Sequence, residues 1–137
     1  MQVRIVATLA LIVLALFSTA CSAAAPAAPS NEPYRNISVN DLNQMLSNGE
    51  SVFVLDVRTP QEYTVDGHVA GSTLIPVDEV AARLSEIPTD QPVACFCRSG
   101  NRSQAACQAL ADAGYTNLLN VEGGIGAWKS AGLPFEN

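Results

Sequence analysis

The sequence predicts a single α/β domain built on a mainly parallel sheet, and three observations carry that expectation. Strand-like and helix-like stretches alternate from about residue 34 to the end, the pattern of crossover units rather than of hairpins. Two of the helix-like stretches open with reciprocal capping signals, Ser38-x-x-Asp41 and Thr59-Pro60-Gln61-Glu62. A chain of 137 residues without an internal repeat has room for one such domain.

The N-terminal third is read apart from that domain. Arg4 supplies a positive start, and residues 5–17 form a mostly apolar stretch. As helix it would reach about 20 Å, short of a hydrocarbon core of roughly 30 Å. Residues 1–20 are therefore expected to be a cleaved signal peptide rather than a membrane span. Ser18, Thr19 and Ala20 precede Cys21, which resembles a bacterial lipobox, although Ser18 stands where an aliphatic residue is usual. Cys21 is the expected lipidation site, and residues 22–33, rich in Ala and Pro, the expected disordered tether. This reading places the domain, residues 34–137, outside the cytoplasm in a bacterial cell envelope, anchored to a membrane by lipid. Without lipid on Cys21 the chain would be secreted or periplasmic.

Within the domain, Val39, Leu42, Met45 and Leu46 share one face of the first helix, which Asn48-Gly49 stops. Residues 52–57 read as a buried strand, and the Thr59 cap opens the second helix. Residues 73–76 read as a short strand, and 78–86 as a helix with Val80, Leu84 and Ile87 inward. An apolar strand over 92–96 runs into Cys97. A helix follows from about Asn101 to Ala113, with Gly114 as its C-terminal cap. Residues 118–121 make the last strand and 124–131 the last helix, stopped by Gly132 and Pro134.

The chemistry concentrates in Cys97-Arg98-Ser99-Gly100-Asn101-Arg102-Ser103. A strand that ends in a thiol, then a polar turn with two arginines, then a helix start favours negative charge at sulfur. An ordinary thiol, with a pKa of roughly 8.5, is only about 3 % thiolate at neutral pH. Shifting it down by about two units takes roughly 2.7 kcal/mol. One guanidinium at about 6 Å supplies that much at an effective dielectric near 20. Cys97 is the expected nucleophile, and residues 98–103 the expected cradle for a small anion. Arg98 and Arg102 are candidate substrate contacts, Ser99, Gly100 and Asn101 mainly backbone donors, and Gly100 a site for positive φ. Asp56 and Arg58, two apart on a strand end, are expected to pair and hold neighbouring loops. His68, in a Gly-His-Val turn, is expected to serve structure by hydrogen bonding.

This loop resembles the active-site signature of the rhodanese sulfurtransferases, Cys-Arg-Ser-Gly-x-Arg-Ser, matched in full. Leu55-Asp56-Val57-Arg58-Thr59-Pro60, Glu62-Tyr63, Gly67-His68-Val69-x-Gly71, Ile75-Pro76 and Glu122-Gly123-Gly124-Ile125-x-x-Trp128 agree with the same family. The resemblance covers about residues 34–137. It implies a small sheet of about five strands covered by helices on both faces, and a catalytic Cys97. The implied reaction moves a sulfane sulfur from thiosulfate or another persulfide donor to cyanide or a thiol through a Cys97 persulfide. It needs no cofactor and no metal, and a protein persulfide partner fits the same chemistry. One alternative is a non-catalytic module that binds a partner at the membrane surface. Another is a phosphatase or arsenate reductase, whose loops place five residues between Cys and Arg where this chain has four.

Charge and cysteine usage narrow the classes further. Seven basic residues face 13 acidic ones, a net charge of −6, and losing Arg4 with the signal makes the balance more acidic still. That opposes nucleic-acid binding and attachment through a basic patch. No Cys-x-x-Cys pair or metal-ligand spacing occurs. A bridge between Cys95 and Cys97 on one strand would be strained. The spacing leaves open whether Cys95 or Cys107 takes part in redox chemistry.

Overall fold

The computed structural model describes residues 32–137. The signal, lipidation and tether assignments, Cys21 included, lie outside these residues. Five strands form one sheet in the order β1-β5-β4-β2-β3, all parallel. They are β1 (Arg35–Ile37), β2 (Phe53–Asp56), β3 (Thr73–Leu74), β4 (Val93–Phe96) and β5 (Leu118–Val121). The helices are α1 (Val39–Ser47), α2 (Pro60–Val65), α3 (Asn101–Asp112) and α4 (Gly124–Ser130).

Strand alternation divides the core in two. Cys95 and Cys97 pack with Leu55, Val57, Leu118 and the α3 residues Ala106, Cys107 and Leu110. Ala94 and Phe96 turn to the other face, with Val54, Leu119, Val121, Leu42 of α1 and Ile125 and Trp128 of α4. Both expected capping boxes form. Ser38 closes with Asp41 ahead of α1, and Thr59 closes with Glu62 ahead of α2. Helices cover both faces of a five-stranded sheet, as the resemblance implied.

Two elements differ from the sequence reading. β1 has no counterpart in it, because Arg-Asn-Ile is three residues long and buries only Ile37. It is a strand because it lines the edge of β5, with Asn36 in register with Asn120. Residues 78–86 are two 3₁₀ turns, Val80–Ala82 and Leu84–Glu86, in place of the expected helix. Neither turn has a side-chain cap, and Ile87 is extended ahead of Pro88. Ile87 N–H closes the second turn on the Leu84 carbonyl at 3.0 Å, and the single hydrogen of the Tyr115 hydroxyl, 2.9 Å from both the Leu84 and Ile87 carbonyls, is shared between them. Val80 and Ile87 still face inward. The third strand stops at Leu74, although Ile75 N–H still bonds the Asp56 carbonyl at 2.9 Å.

Candidate active site

β4 is the middle strand of the sheet and runs directly into Cys97, so the thiol sits at the carboxyl edge of the strands, at the mouth of α3. This is the edge where open parallel sheets hold their ligands. The chain turns through Gly100, at φ 103°, and enters α3 at Asn101. Only glycine takes that conformation without strain.

The turn wraps around the sulfur. Gly100 N–H points at Cys97 Sγ from 3.1 Å, and the Ser103 hydroxyl lies 3.5 Å from it. Burial pushes the thiol's pKa up, but hydrogen bonds outweigh it. The Ser103 side chain contributes most, followed by the backbone of Ser103, Ser99 and Gly100, and the net direction is below the ordinary thiol value. The direction is the one expected from the turn's amides and helix start; the largest lowering contributions come from the Ser103 hydroxyl and the loop amides rather than from a guanidinium. Cys95 behaves in the opposite way. Its hydrogen bond with Cys107, together with burial, holds its thiol well above the usual range.

Arg102 is engaged elsewhere. Both of its terminal nitrogens donate to Glu62, at 2.8 Å and 2.6 Å, in a fork-to-fork pair. Glu62 also accepts from the Thr59 amide and hydroxyl, each at 3.0 Å, so one carboxylate caps α2 and ties it to α3. The Arg102 bond, followed by the Thr59 bonds, holds the Glu62 pKa down at about 2 against its burial. Arg98, Ser99 and Asn101 are exposed on the rim, Gly100 is buried, and Ser103 faces inward with no exposure. Residues 98–103 thus surround Cys97, with Arg98 as the loop cation turned to solvent.

The supporting residues stand where the sequence reading put them. Asp56 and Arg58 are fully buried and paired, with Arg58 Nε at 2.9 Å and Nη2 at 2.7 Å from the carboxylate. Arg58 then reaches the carbonyls of Gly67 at 2.9 Å and Glu62 at 3.4 Å, tying α2 and the turn that follows it to the end of β2. His68 stacks on Tyr63 at 3.9 Å and exchanges backbone hydrogen bonds with Glu136. Its contacts are structural.

Sequence reasoning missed three contributors. Glu62 reads in the sequence as the cap of α2, and its second bond, to Arg102, spans 40 residues of chain. Asn120 is the one polar residue inside an apolar strand, and that break in the pattern is the signal that marks it. Gly124 is the third: at φ 51° it lets α4 abut the loop, with Ile125 N–H on the Cys97 carbonyl at 2.9 Å and Gly126 N–H on the Arg98 carbonyl at 3.2 Å.

Comparison with known proteins agrees with this geometry. The family model described as "Rhodanese-like domain" matches residues 38–131. A protein named "Sulfurtransferase" from Allochromatium vinosum is 42% identical over 98 residues, covering 72% of this chain and 91% of its own. The crystal structure of a rhodanese-related protein from Thermoplasma volcanium superposes with a TM-score of 0.67 at 37% identity, covering 74% of this chain and 97% of that one. A Rhodopseudomonas palustris protein of unknown function, titled a possible tyrosine phosphatase, has a TM-score of 0.71 at 27% identity, covering 77% and 87%.

Proposed function

The chain belongs to the rhodanese-like domain family, and from that premise we propose that it is a sulfurtransferase that carries a sulfane sulfur on Cys97. The family and the sulfurtransferase-named relative support sulfur transfer in general. The observation that supports Cys97 as carrier is a thiol at the strand edge, ringed by Gly100 N–H and the Ser103 hydroxyl and held below its ordinary pKa.

In the first step the Cys97 thiolate attacks the outer sulfur of thiosulfate or of another persulfide. A new S–S bond forms while the donor's own S–S bond breaks, and with thiosulfate the electron pair leaves on sulfite. The terminal sulfur of the Cys97 persulfide keeps the negative charge, and the donors that held the thiolate are directed at the anion that follows it. In the second step cyanide or a thiolate attacks that terminal sulfur, the Cys97 S–S bond breaks, and the thiolate returns. Ping-pong kinetics follow from the covalent carrier. Arg98 is the cation left to meet an arriving anion. Small anions serve as donor and acceptor, and a persulfide-bearing protein is a further partner of matching chemistry.

We place the protein in a bacterial cell envelope, lipid-anchored through Cys21 by the tether of residues 22–33. A Cys21→Ala chain found equally in the membrane fraction would refute the anchor. Phosphatase chemistry is disfavoured by the four-residue spacing from Cys97 to Arg102 and by the engagement of Arg102 with Glu62.

Intact mass before and after thiosulfate tests the reaction. Wild type should gain one sulfur, roughly 32 Da, that cyanide removes, and Cys97→Ser should gain none, as covalent catalysis on that sulfur requires. No adduct on fully reduced protein would overturn thiosulfate as a donor. Partner binding that survives Cys97→Ser, with no sulfur carried from any donor, would instead favour a docking module.

A further inference from the structure

Asn120 is a fully buried amide inside β5. It is in register with Cys95 on one side and Asn36 on the other, so it lies on the sheet face that carries Cys97. Its Oδ1 is 2.6 Å from Ser103 Oγ, and its Nδ2 donates to Asn36 Oδ1 at 2.8 Å. Ser103 Oγ is also 2.9 Å from the Gly100 carbonyl and 3.5 Å from Cys97 Sγ. A hydroxyl owns one hydrogen, and three acceptors surround this one.

The charge on Cys97 decides which of them receives it. A neutral Cys97 thiol donates its own hydrogen to Ser103 Oγ, and Ser103 donates to Asn120 or Gly100. A thiolate has no hydrogen to give and needs one from Ser103. The Asn120 oxygen and the serine lone pairs would then face each other at 2.6 Å, two buried acceptors with no hydrogen between them. A half-turn of the Asn120 amide removes that conflict by exchanging Oδ1 and Nδ2, and no other heavy atom need move. Nδ2 then donates to Ser103 Oγ, and Oδ1 accepts from the amide of Asn36, which is exposed and able to turn with it.

We propose that Asn120 is a positioning residue for the sulfur chemistry, its amide turning over with the charge on Cys97 so that the Ser103 hydroxyl is released to the thiolate. The proposal rests on the reading of Cys97 as the group that cycles between charge states. No proton travels along the chain Asn36–Asn120–Ser103; the thiol proton goes to solvent, and the other groups only turn. An asparagine serves here because its amide offers a donor and an acceptor at one site. Aspartate would accept only, and leucine would do neither.

Other charged and titratable groups belong to the elements around this sulfur. Of these, Arg102 on α3 and Cys95 on β4 interact with it directly; Cys107 on α3, Glu62 on α2 and the Asp56–Arg58 pair at the end of β2 lie on the elements packed around it, and Arg98 stands on the exposed rim of the loop. The Ser103 comparison below separates their field from the relay, because removing one hydroxyl leaves all of them in place.

The test follows the side-chain amide resonances of Asn120 by NMR against pH, in the full-length chain in detergent micelles. Iodoacetamide alkylation of Cys97, read by peptide mass, gives the thiolate midpoint independently of any sulfur donor. In wild type the Asn120 amide should titrate at the alkylation midpoint, be flat in Cys97→Ala, and lose most of its excursion in Ser103→Ala. An excursion of equal size in Ser103→Ala would mean the amide only senses the thiolate field, and would overturn the relay. A pH-invariant Asn120 amide beside a titrating Cys97 would overturn it as well.

Variants give a second reading. Asn120→Asp should raise the alkylation midpoint by about two pH units, and by about half as much in a Ser103→Ala background, where there is no hydroxyl to withhold. Asn120→Leu removes the competing acceptor and should shift it by less than about half a unit. Equal Asp shifts with and without the Ser103 hydroxyl would refute the coupling. Should Asn120→Asp fail to fold, the wild-type titration still decides. A chain that shows the relay but accepts no sulfur would refute the proposed reaction and leave the relay standing.

Discussion

Replacing Gly124 by alanine tests the contact that fixes the Cys97 loop in place. A Cβ built at Gly124 falls 2.1 Å from the Cys97 carbonyl oxygen and 2.7 Å from the carbonyl carbons of Cys97 and Arg98. Ordinary contact begins near 3.4 Å, so α4 and the loop must separate by about 1 Å. Three costs add. Alanine at φ 51° carries about 1–2 kcal/mol. Overpacking at a contact this close adds about 1–3 kcal/mol. The two amide bonds from Ile125 and Gly126 to the loop carbonyls weaken, at about 1 kcal/mol each if lost. The expected destabilisation is about 3–5 kcal/mol. Gly132 is the internal control: its φ is 69° and nothing lies within 4 Å of the added Cβ, so Gly132→Ala carries the backbone cost alone, about 1–2 kcal/mol. Urea melts of both variants give the stability difference. Sulfur-transfer rates of the folded fraction should fall by about 100-fold for Gly124→Ala, the usual consequence of a 1 Å misplacement, and stay unchanged for Gly132→Ala. Equal melts and equal rates for the two would refute the claim that α4 holds the loop.

Two further outcomes follow from the ion pairs. Arg58→Met leaves Asp56 buried without its partner and should lower stability by about 3–5 kcal/mol, whereas the double variant Asp56→Leu with Arg58→Met should recover much of it. A double variant no better than the single one in urea melts would refute the buried-pair reading. For Glu62, the folded pKa of about 2 lies below its ordinary value near 4.3, so the pair's contribution is complete above about pH 4.3 and is lost as pH falls through about 2. Melts of wild type and Glu62→Gln should therefore differ by a constant amount from pH 5 to 8 and converge in acid, and a gap that widened in acid would contradict the assignment.

The elements most legible in the sequence were those whose signals are local. Capping boxes at Ser38 and Thr59, the apolar run into Cys97 and the Gly114 stop each act within a few residues, and the structure follows them. β1 was illegible because its reason for existing is elsewhere: an edge strand of Arg35, Asn36 and Ile37 is defined by β5, more than eighty residues along the chain. The second 3₁₀ turn, Leu84–Glu86, escaped for the same reason, since its end is met by the hydroxyl of Tyr115, distant in the chain. In the site, Cys97 and the Gly100 turn were readable from neighbours in sequence. Partners distant in the chain were not, and Glu62, Asn120 and Gly124 all reach the loop from other elements.

The electrostatics of the loop follow from those distant partners. Two arginines in a seven-residue turn suggest a cationic cradle, yet Arg102 is neutralised by Glu62 and Arg58 by Asp56, which leaves Arg98 on the rim. Negative charge on Cys97 is held by N–H and O–H groups at hydrogen-bond range instead. Such donors keep their strength in salt that would screen a surface guanidinium, because the groups they join are buried. In the proposed reaction they also suit an anion that moves by one sulfur, from thiolate to persulfide, while the net charge of the loop stays constant. A second full positive charge beside the sulfur would stabilise the arriving anion and the departing sulfite alike, and so would slow product release as much as it helped binding. By engaging Arg102, Glu62 makes it a strut between α2 and α3, and under the proposed sulfur transfer the attraction of an anionic donor falls to Arg98 on the rim.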